Sequence, residues 1–280
     1  MGATLQTLEK KQRALRVASW ALMVICPFLV LAAISLGIGQ NAFAGVPVWT
    51  DELDYWRSIE SWLHVGNNTG YSGLYELTPT LGTLSVHGLS PLLLYGWYAR
   101  IFGWSYASIT IANALWVAAG ALTFCLLNKP KASTALIITL ALMLYGPVLL
   151  YAPTSMTEMA NYGLLLFYLA FLIRLAHVRK TATRSQGEHP SIRVGLLPLV
   201  LGMLTVMFCC AYRITYMGLF IPLMLVAFDF RWSGKLLLGL VVSLVISVGV
   251  YFLTTLYTSP YPNGFLYNFL RTGSLPMSVR

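Results

Sequence analysis

The segment Leu89–Trp104, LSPLLLYGWYARIFGW, decides the topology of this chain. It is apolar yet carries Arg100, and its 16 residues reach only about 24 Å as a helix, against a bilayer core of roughly 30 Å. If it lies in the interface, alternation of the other apolar runs places Lys129, Lys131, Arg174, Arg179, Lys180, Arg184, Arg193, Arg231 and Lys235 beside the N-terminal Lys10, Lys11, Arg13 and Arg16. That puts 13 of the 18 Lys and Arg on one side and 5 on the other. If it spans, the split becomes roughly 8 against 10, contrary to the gathering of cations in cytoplasmic loops. The segment therefore reads as an amphipathic helix on the outer membrane surface.

The chain's composition implies a membrane environment. The 280 residues are 58% hydrophobic and 10% charged, with a mean hydropathy of +0.71, whereas a soluble chain carries about 25% charged residues. The first apolar run, Val17 to Gly39, follows the N-terminal cations and at 23 residues is too long for a secretory h-region, so it reads as a retained anchor with its N-terminus inside. Further runs lie at 106–127, 132–150, 157–175, 194–212, 213–230 and 236–257. Val194 to Phe230 as one helix would be about 55 Å long, too long for a single crossing, so two short spans with a turn near Tyr212-Arg213-Ile214-Thr215 fit better.

The expected fold is thus all-α: a polytopic membrane protein of about seven transmembrane helices in residues 1–258, with a long first outer loop, 40–105, carrying amphipathic interfacial helices. A short outer tail, 259–280, follows. A polar inner loop is expected over 177–193. The net charge of +9 is accounted for by topology and implies no nucleic acid. Cys26, Cys125, Cys209 and Cys210 sit in apolar runs without metal-ligand spacing and read as small buried hydrophobes.

Carboxylates near a bilayer are costly unless used or paired, so the placement of the nine acids is informative. Asp51, Glu52, Asp54 and Glu60 follow the first span, where Thr50 is expected to cap a helix beginning at Asp51. Trp49, Tyr55, Trp56 and Trp62 in the same stretch equally suit an aromatic interfacial belt. Glu76 lies further along the outer loop, and Glu158 stands at the outer mouth of the fourth span beside Pro153. Thr157 or Ser155 capping, with Glu158 in the first helical turn, is the structural alternative there. Arg213, between Tyr212 and Tyr216, lies at an outer turn and reads either as a headgroup-snorkelling cation or as a phosphate clamp. His87, before Gly88-Leu89-Ser90-Pro91, reads as a helix-opening residue or a site ligand. Titratable groups converging on one membrane face suggest a site.

These pieces, in order, resemble the GT-C superfamily of integral-membrane glycosyltransferases, which includes protein O-mannosyltransferases, lipid A aminoarabinose transferases and arabinosyltransferases. The resemblance rests on Asp51-Glu52 with Tyr55 after the first span and on His87-Gly88-Leu89-Ser90-Pro91-Leu92 leading to Phe102-Gly103-Trp104. It rests also on Thr157-Glu158 after the third span and Tyr212-Arg213 between the fifth and sixth. The chain departs from the family's His-Pro-Pro-Leu segment, since Gly88-Leu89 intervene after His87.

The resemblance implies a catalytic module in the cytoplasmic (inner) membrane with its N-terminus inside and its active site on the outer face. It implies a polyprenyl-phosphate-linked sugar as donor and a glycan, lipid or protein acceptor. Asp51, Glu52 and Glu158 would be catalytic, with Arg213 on the donor phosphate. Tyr55, Glu76, His87, Tyr212 and Tyr216 would contact substrate, and a divalent cation, if used, would sit on Asp51 and Glu158. Two other classes compete: a non-catalytic or truncated GT-C-like assembly subunit, and a transporter or flippase of lipid-linked sugars. Against the transporter, the acids gather on one face and no repeat is visible.

Overall fold

The computed structural model describes residues 2–43, 45, 47, 49–66, 69–72, 80–83, 89–186, 191, 193–211 and 213–256. The expected tail 259–280 and the candidates Glu76, His87 and Tyr212 lie outside them. The described elements are helical apart from one ribbon. Helices α1 (Gly2–Ile38) and α2 (Thr50–Val65) are followed by β1 (Thr69–Ser72) and β2 (Thr80–Thr83), then by α3 (Ser90–Phe102), α4 (Ser108–Asn128), α5 (Ala132–Leu144) and α6 (Gly146–Tyr151). Then come α7 (Glu158–Gln186), α8 (Leu196–Cys210), a 3-10 turn (Ile214–Leu219), α9 (Phe220–Ala227) and α10 (Gly234–Tyr251). Within the expected outer loop, β1 and β2 pair antiparallel with Thr69 opposite Thr83.

Among the described residues four helices are long and apolar enough to cross a membrane: Glu9–Ile38, Ser108–Asn128, Glu158–Ser185 and Gly234–Thr254. The apolar stretches at Ala132–Leu144, Leu196–Cys210 and Ile214–Ala227 form shorter helices. One cause of shortness is visible in the sequence. The run expected at 132–150 breaks at Tyr145, whose ψ of 116° is extended, because Pro147 cannot donate to the residue four earlier and its ring would clash there. The deciding segment becomes α3, 13 residues long or about 20 Å, stopped by Gly103 at φ +78°. Its Arg100 stacks over Trp62 of α2 at 4.4 Å, so α2 and α3 form one aromatic layer.

α4 and α7 form the spine. They run parallel, because Asn113 near the start of α4 donates to the Met156 carbonyl (2.7 Å) while Asn128 at its end donates to the Ala170 carbonyl (3.1 Å). Between these clamps the backbones touch. A Cβ on Gly120 would lie 2.3 Å from the Gly163 carbonyl oxygen, and one on Gly163 would lie 2.4 Å from the Trp116 carbonyl. Small residues that let backbones meet are a principal source of helix association in lipid, where burial of apolar surface drives little. α1 and α5 pack against one side of this spine, around Met23, Cys26, Val117, Ala121 and Ala135. α8 and α9 pack against α7 around Tyr168, Leu175, Val206 and Leu223.

α7 continues to Gln186, so much of the expected polar loop 177–193 is helix. From His177 to Gln186 the sequence holds neither Gly nor Pro, and nothing stops propagation once the apolar part has nucleated it. At 29 residues the helix is about 43 Å long, longer than the hydrocarbon core. It presents Glu158 at one end and the cations Arg174, Arg179, Lys180 and Arg184 toward the other.

Candidate functional site

At the Glu158 end of α7, three segments meet: the first turns of α2, the turn Ala152–Thr157 before α7, and the turn at Arg213 after α8. The start of α2 corrects the expected cap. The N-cap is Trp49, with extended backbone (φ −83°, ψ 151°), one residue before the Thr50 of the sequence reading. Glu52 does the capping by reaching back, its Oε2 accepting from the Trp49 N–H at 3.0 Å. Its Oε1 accepts from the Ser155 N–H at 2.6 Å. Glu52 is 3% exposed, and charge-assisted bonds of this kind are strong. It ties α2 to the turn that leads into Glu158.

Asp51 and Tyr55 are four residues apart and so share a face of α2, while Glu52, about 100° round the helix from Asp51, points elsewhere. Tyr55 is buried, its hydroxyl hydrogen-bonds Thr157, and it lies within electrostatic reach of Asp51, Arg213 and Glu158. Burial raises the Tyr55 phenol well above its usual value, the Asp51 carboxylate raises it further, and Arg213 opposes both. Tyr55 is thus a neutral hydrogen-bonding group. On the same helix, burial together with Asp51 raises the Asp54 carboxyl to about 6.

Arg213 Nη2 donates to Glu158 Oε1 at 2.7 Å and to Thr157 Oγ1 at 3.3 Å. The guanidinium remains 38% exposed and the Glu158 side chain 19%. Nε and Nη1 of Arg213 have no partner among the described residues, and Glu158 Oε2 is likewise buried without one. Burial works against the charge on Arg213, but the hydrogen bond and charge of Glu158, with Tyr55 and Tyr216, raise its pKa overall, so it stays cationic. The pair therefore keeps unused donors and an unused acceptor beside opposite fixed charges.

Two residues that the sequence reading did not single out complete the frame. Tyr95 of α3, fully buried, donates to Asn113 Oδ1 at 2.9 Å, and Asn113 passes the constraint to the Met156 carbonyl. Tyr95 is electrostatically coupled to Tyr55, Glu158 and Arg213, and burial holds its phenol well above the usual range. An asparagine with no exposure inside an apolar span was the available signal, since polar groups at that depth are costly without a use. The helical turn Phe252–Leu256 that follows α10 also reaches this region: the Leu89 N–H donates to the Thr254 carbonyl at 3.0 Å, and Thr254 Oγ1 donates to the Ala211 carbonyl.

Beyond Arg213, an apolar cavity of about 370 Å³ opens between the 3-10 turn and α10, lined by Thr215, Met217, Ile221 and Leu244 among others. Of the expected site residues, the structure gathers Asp51, Tyr55, Glu158, Arg213 and Tyr216, and sets Glu52 in a supporting position. Comparisons with family models, curated proteins and solved structures return no match.

Proposed function

We propose that the chain is a membrane glycosyltransferase that moves a sugar from a polyprenyl-phosphate donor to an acceptor at the outer face of the cytoplasmic membrane, with inversion. Counting the shorter apolar helices as crossings, this reading has seven spans and a cytoplasmic N-terminus, in keeping with the basic end of the helix set. The observation that carries it is the meeting of Asp51 and Tyr55, Thr157-Glu158, and Arg213 at the acidic end, beside an apolar cavity suited to a prenyl chain.

The chemistry follows from the groups. The acceptor hydroxyl or amine gives its proton to the Asp51 carboxylate as it attacks the anomeric carbon. The bond from that carbon to the phosphate oxygen breaks, and polyprenyl phosphate departs with the electron pair. Arg213 holds the developing negative charge through its unused N–H groups, in a setting where such charge is poorly screened. Glu158, Tyr55 and Tyr216 orient sugar or acceptor hydroxyls, and Tyr212, Glu76 and His87 are assigned contacts with substrate by the same reading. A divalent cation would take Asp51 and Glu158 Oε2 as ligands. Among the described residues no group of three or more His, Cys, Asp or Glu forms, and the steps above pass through no cation.

Arg213 already bonded to Glu158 favours a second reading, a non-catalytic subunit of the same architecture. The two separate on one experiment: the full chain, purified in detergent, is given a panel of polyprenyl-phosphate sugars with hydroxyl acceptors, and donor binding and release of polyprenyl phosphate are measured. Turnover of one donor supports the transferase, and binding without turnover supports the subunit. Neither binding nor turnover on any donor overturns both.

A further inference from the structure

The opposite, basic end of the spine carries a second constellation that the proposed activity does not use. A cavity of about 500 Å³ lies between the end of α4 and α7, lined by Asn128, Lys129, Arg174 and His177 together with apolar residues. A second, of about 430 Å³, adjoins it between α7 and the start of α8, and the two share Leu127 and Arg174. Arg193 lines the second at its polar edge, while Phe171, Leu197 and Leu201 give it an apolar floor. Among the described residues no acid lines either cavity. Lys129, Arg174 and Arg193 are exposed and form no ion pair among the described residues. Arg179, five residues further along α7, is instead committed to Asp229.

Depth identifies the ligand. Arg174 is 16 residues after Glu158, about 24 Å along α7, which places it near the far edge of a hydrocarbon core of roughly 30 Å when Glu158 is at the other headgroup level. Its stem then lies against apolar chains and its guanidinium reaches the phosphate layer. The start of α8 lines the same space, and its helix dipole adds to the attraction for an anion. A polar, cationic chamber continuous with an apolar one fits a molecule with an anionic head and a hydrocarbon tail.

We propose that this end of the protein binds an anionic phospholipid of the surrounding leaflet, the headgroup phosphate held by Lys129, Arg174 and Arg193 and one acyl chain lying over Leu197 and Leu201. Basic pockets between membrane helices bind such headgroups by this chemistry. The site stands independently of the activity proposed at the acidic end.

The test is native mass spectrometry of the detergent-purified full chain with dioleoyl phosphatidylglycerol or dioleoyl phosphatidylcholine at equal mole fraction. Retention of the anionic lipid at least ten-fold over the zwitterionic one is expected, with glycerol 1-phosphate failing to displace it. The double variant Arg174→Gln/Arg193→Gln should reduce that preference five-fold or more. Arg231→Gln/Lys235→Gln removes the same charge from residues that line neither cavity and should leave it unchanged. Equal retention of the two lipids by the wild-type chain, equal losses in the two double variants, or displacement by glycerol 1-phosphate would each overturn the proposal.

Discussion

The two ends of α7 each carry a buried or half-buried arginine–carboxylate pair, and the pairs differ in what they leave over. At the basic end Arg179 engages Asp229 through both forks, Nε to Oδ1 at 2.9 Å and Nη2 to Oδ2 at 2.7 Å. Its Nη1 takes the Ser191 and Val194 carbonyls, and its side chain is 5% exposed. At the acidic end Arg213 meets Glu158 through a single nitrogen, stays 38% exposed, and leaves Glu158 Oε2 without a partner among the described residues. A saturated pair has nothing to offer a ligand and serves to hold elements together. An unsaturated one retains the groups that bind and stabilise charge. One end is held by a saturated pair and the other, about 31 Å away along the helix, keeps the unsaturated pair on which the proposed chemistry rests.

The largest effect expected from breaking that division is on Asp51, the acid proposed as general base. Asp51→Asn should lower turnover by about 10²–10⁴-fold, the usual contribution of a positioned general base, with donor binding retained in equilibrium measurements. Arg213→Ala should cost about 10²–10³-fold in turnover, as for removal of a charge-stabilising donor, and should weaken donor binding as well. Unaltered binding and turnover in that variant would remove the phosphate clamp.

At the other end the readout changes. Arg179→Ala leaves the Asp229 charge uncompensated, and loss of one partner of a buried pair costs roughly 3–5 kcal/mol, seen as a lower melting temperature in detergent. The smallest effect concerns Asp54. Its folded carboxyl is held above the unfolded value at about 6, so the folded state binds the proton more tightly. The corresponding stability is present below the unfolded pKa of about 3.9 and is lost as pH rises through about 6. Asp54→Asn should therefore raise the melting temperature at pH 7 and leave it unchanged near pH 4. Parallel pH profiles for variant and wild type would contradict the assignment.

Hydropathy and length made α1, α4, α7 and α10 legible from the sequence, because each keeps an apolar run long enough to cross a bilayer. Charge placement put Asp51, Glu158 and Arg213 on one face, since uncompensated charge near lipid is confined to its faces, and the structure brings these three together around Tyr55. The division of labour between Asp51 and Glu52 was not legible. Adjacent acids look alike in sequence, and only the turn at Ser155, 103 residues away, decides which one is consumed. The Arg179–Asp229 pair escaped for the same reason, its partners being 50 residues apart. The ribbon β1–β2 and the extension of α7 into a polar stretch escaped because tertiary context and helix propagation overrode local composition.

The contrast between the two ends is tested most directly by measuring turnover and melting temperature together for Glu158→Gln and Asp229→Asn. The expected pattern is crossed. Glu158→Gln loses turnover by about 10²-fold or more while melting within a few degrees of the wild type, and Asp229→Asn melts markedly lower while its folded fraction turns over donor at the wild-type rate. Full turnover in Glu158→Gln, or a loss of turnover in the folded fraction of Asp229→Asn equal to that in Glu158→Gln, would contradict the account.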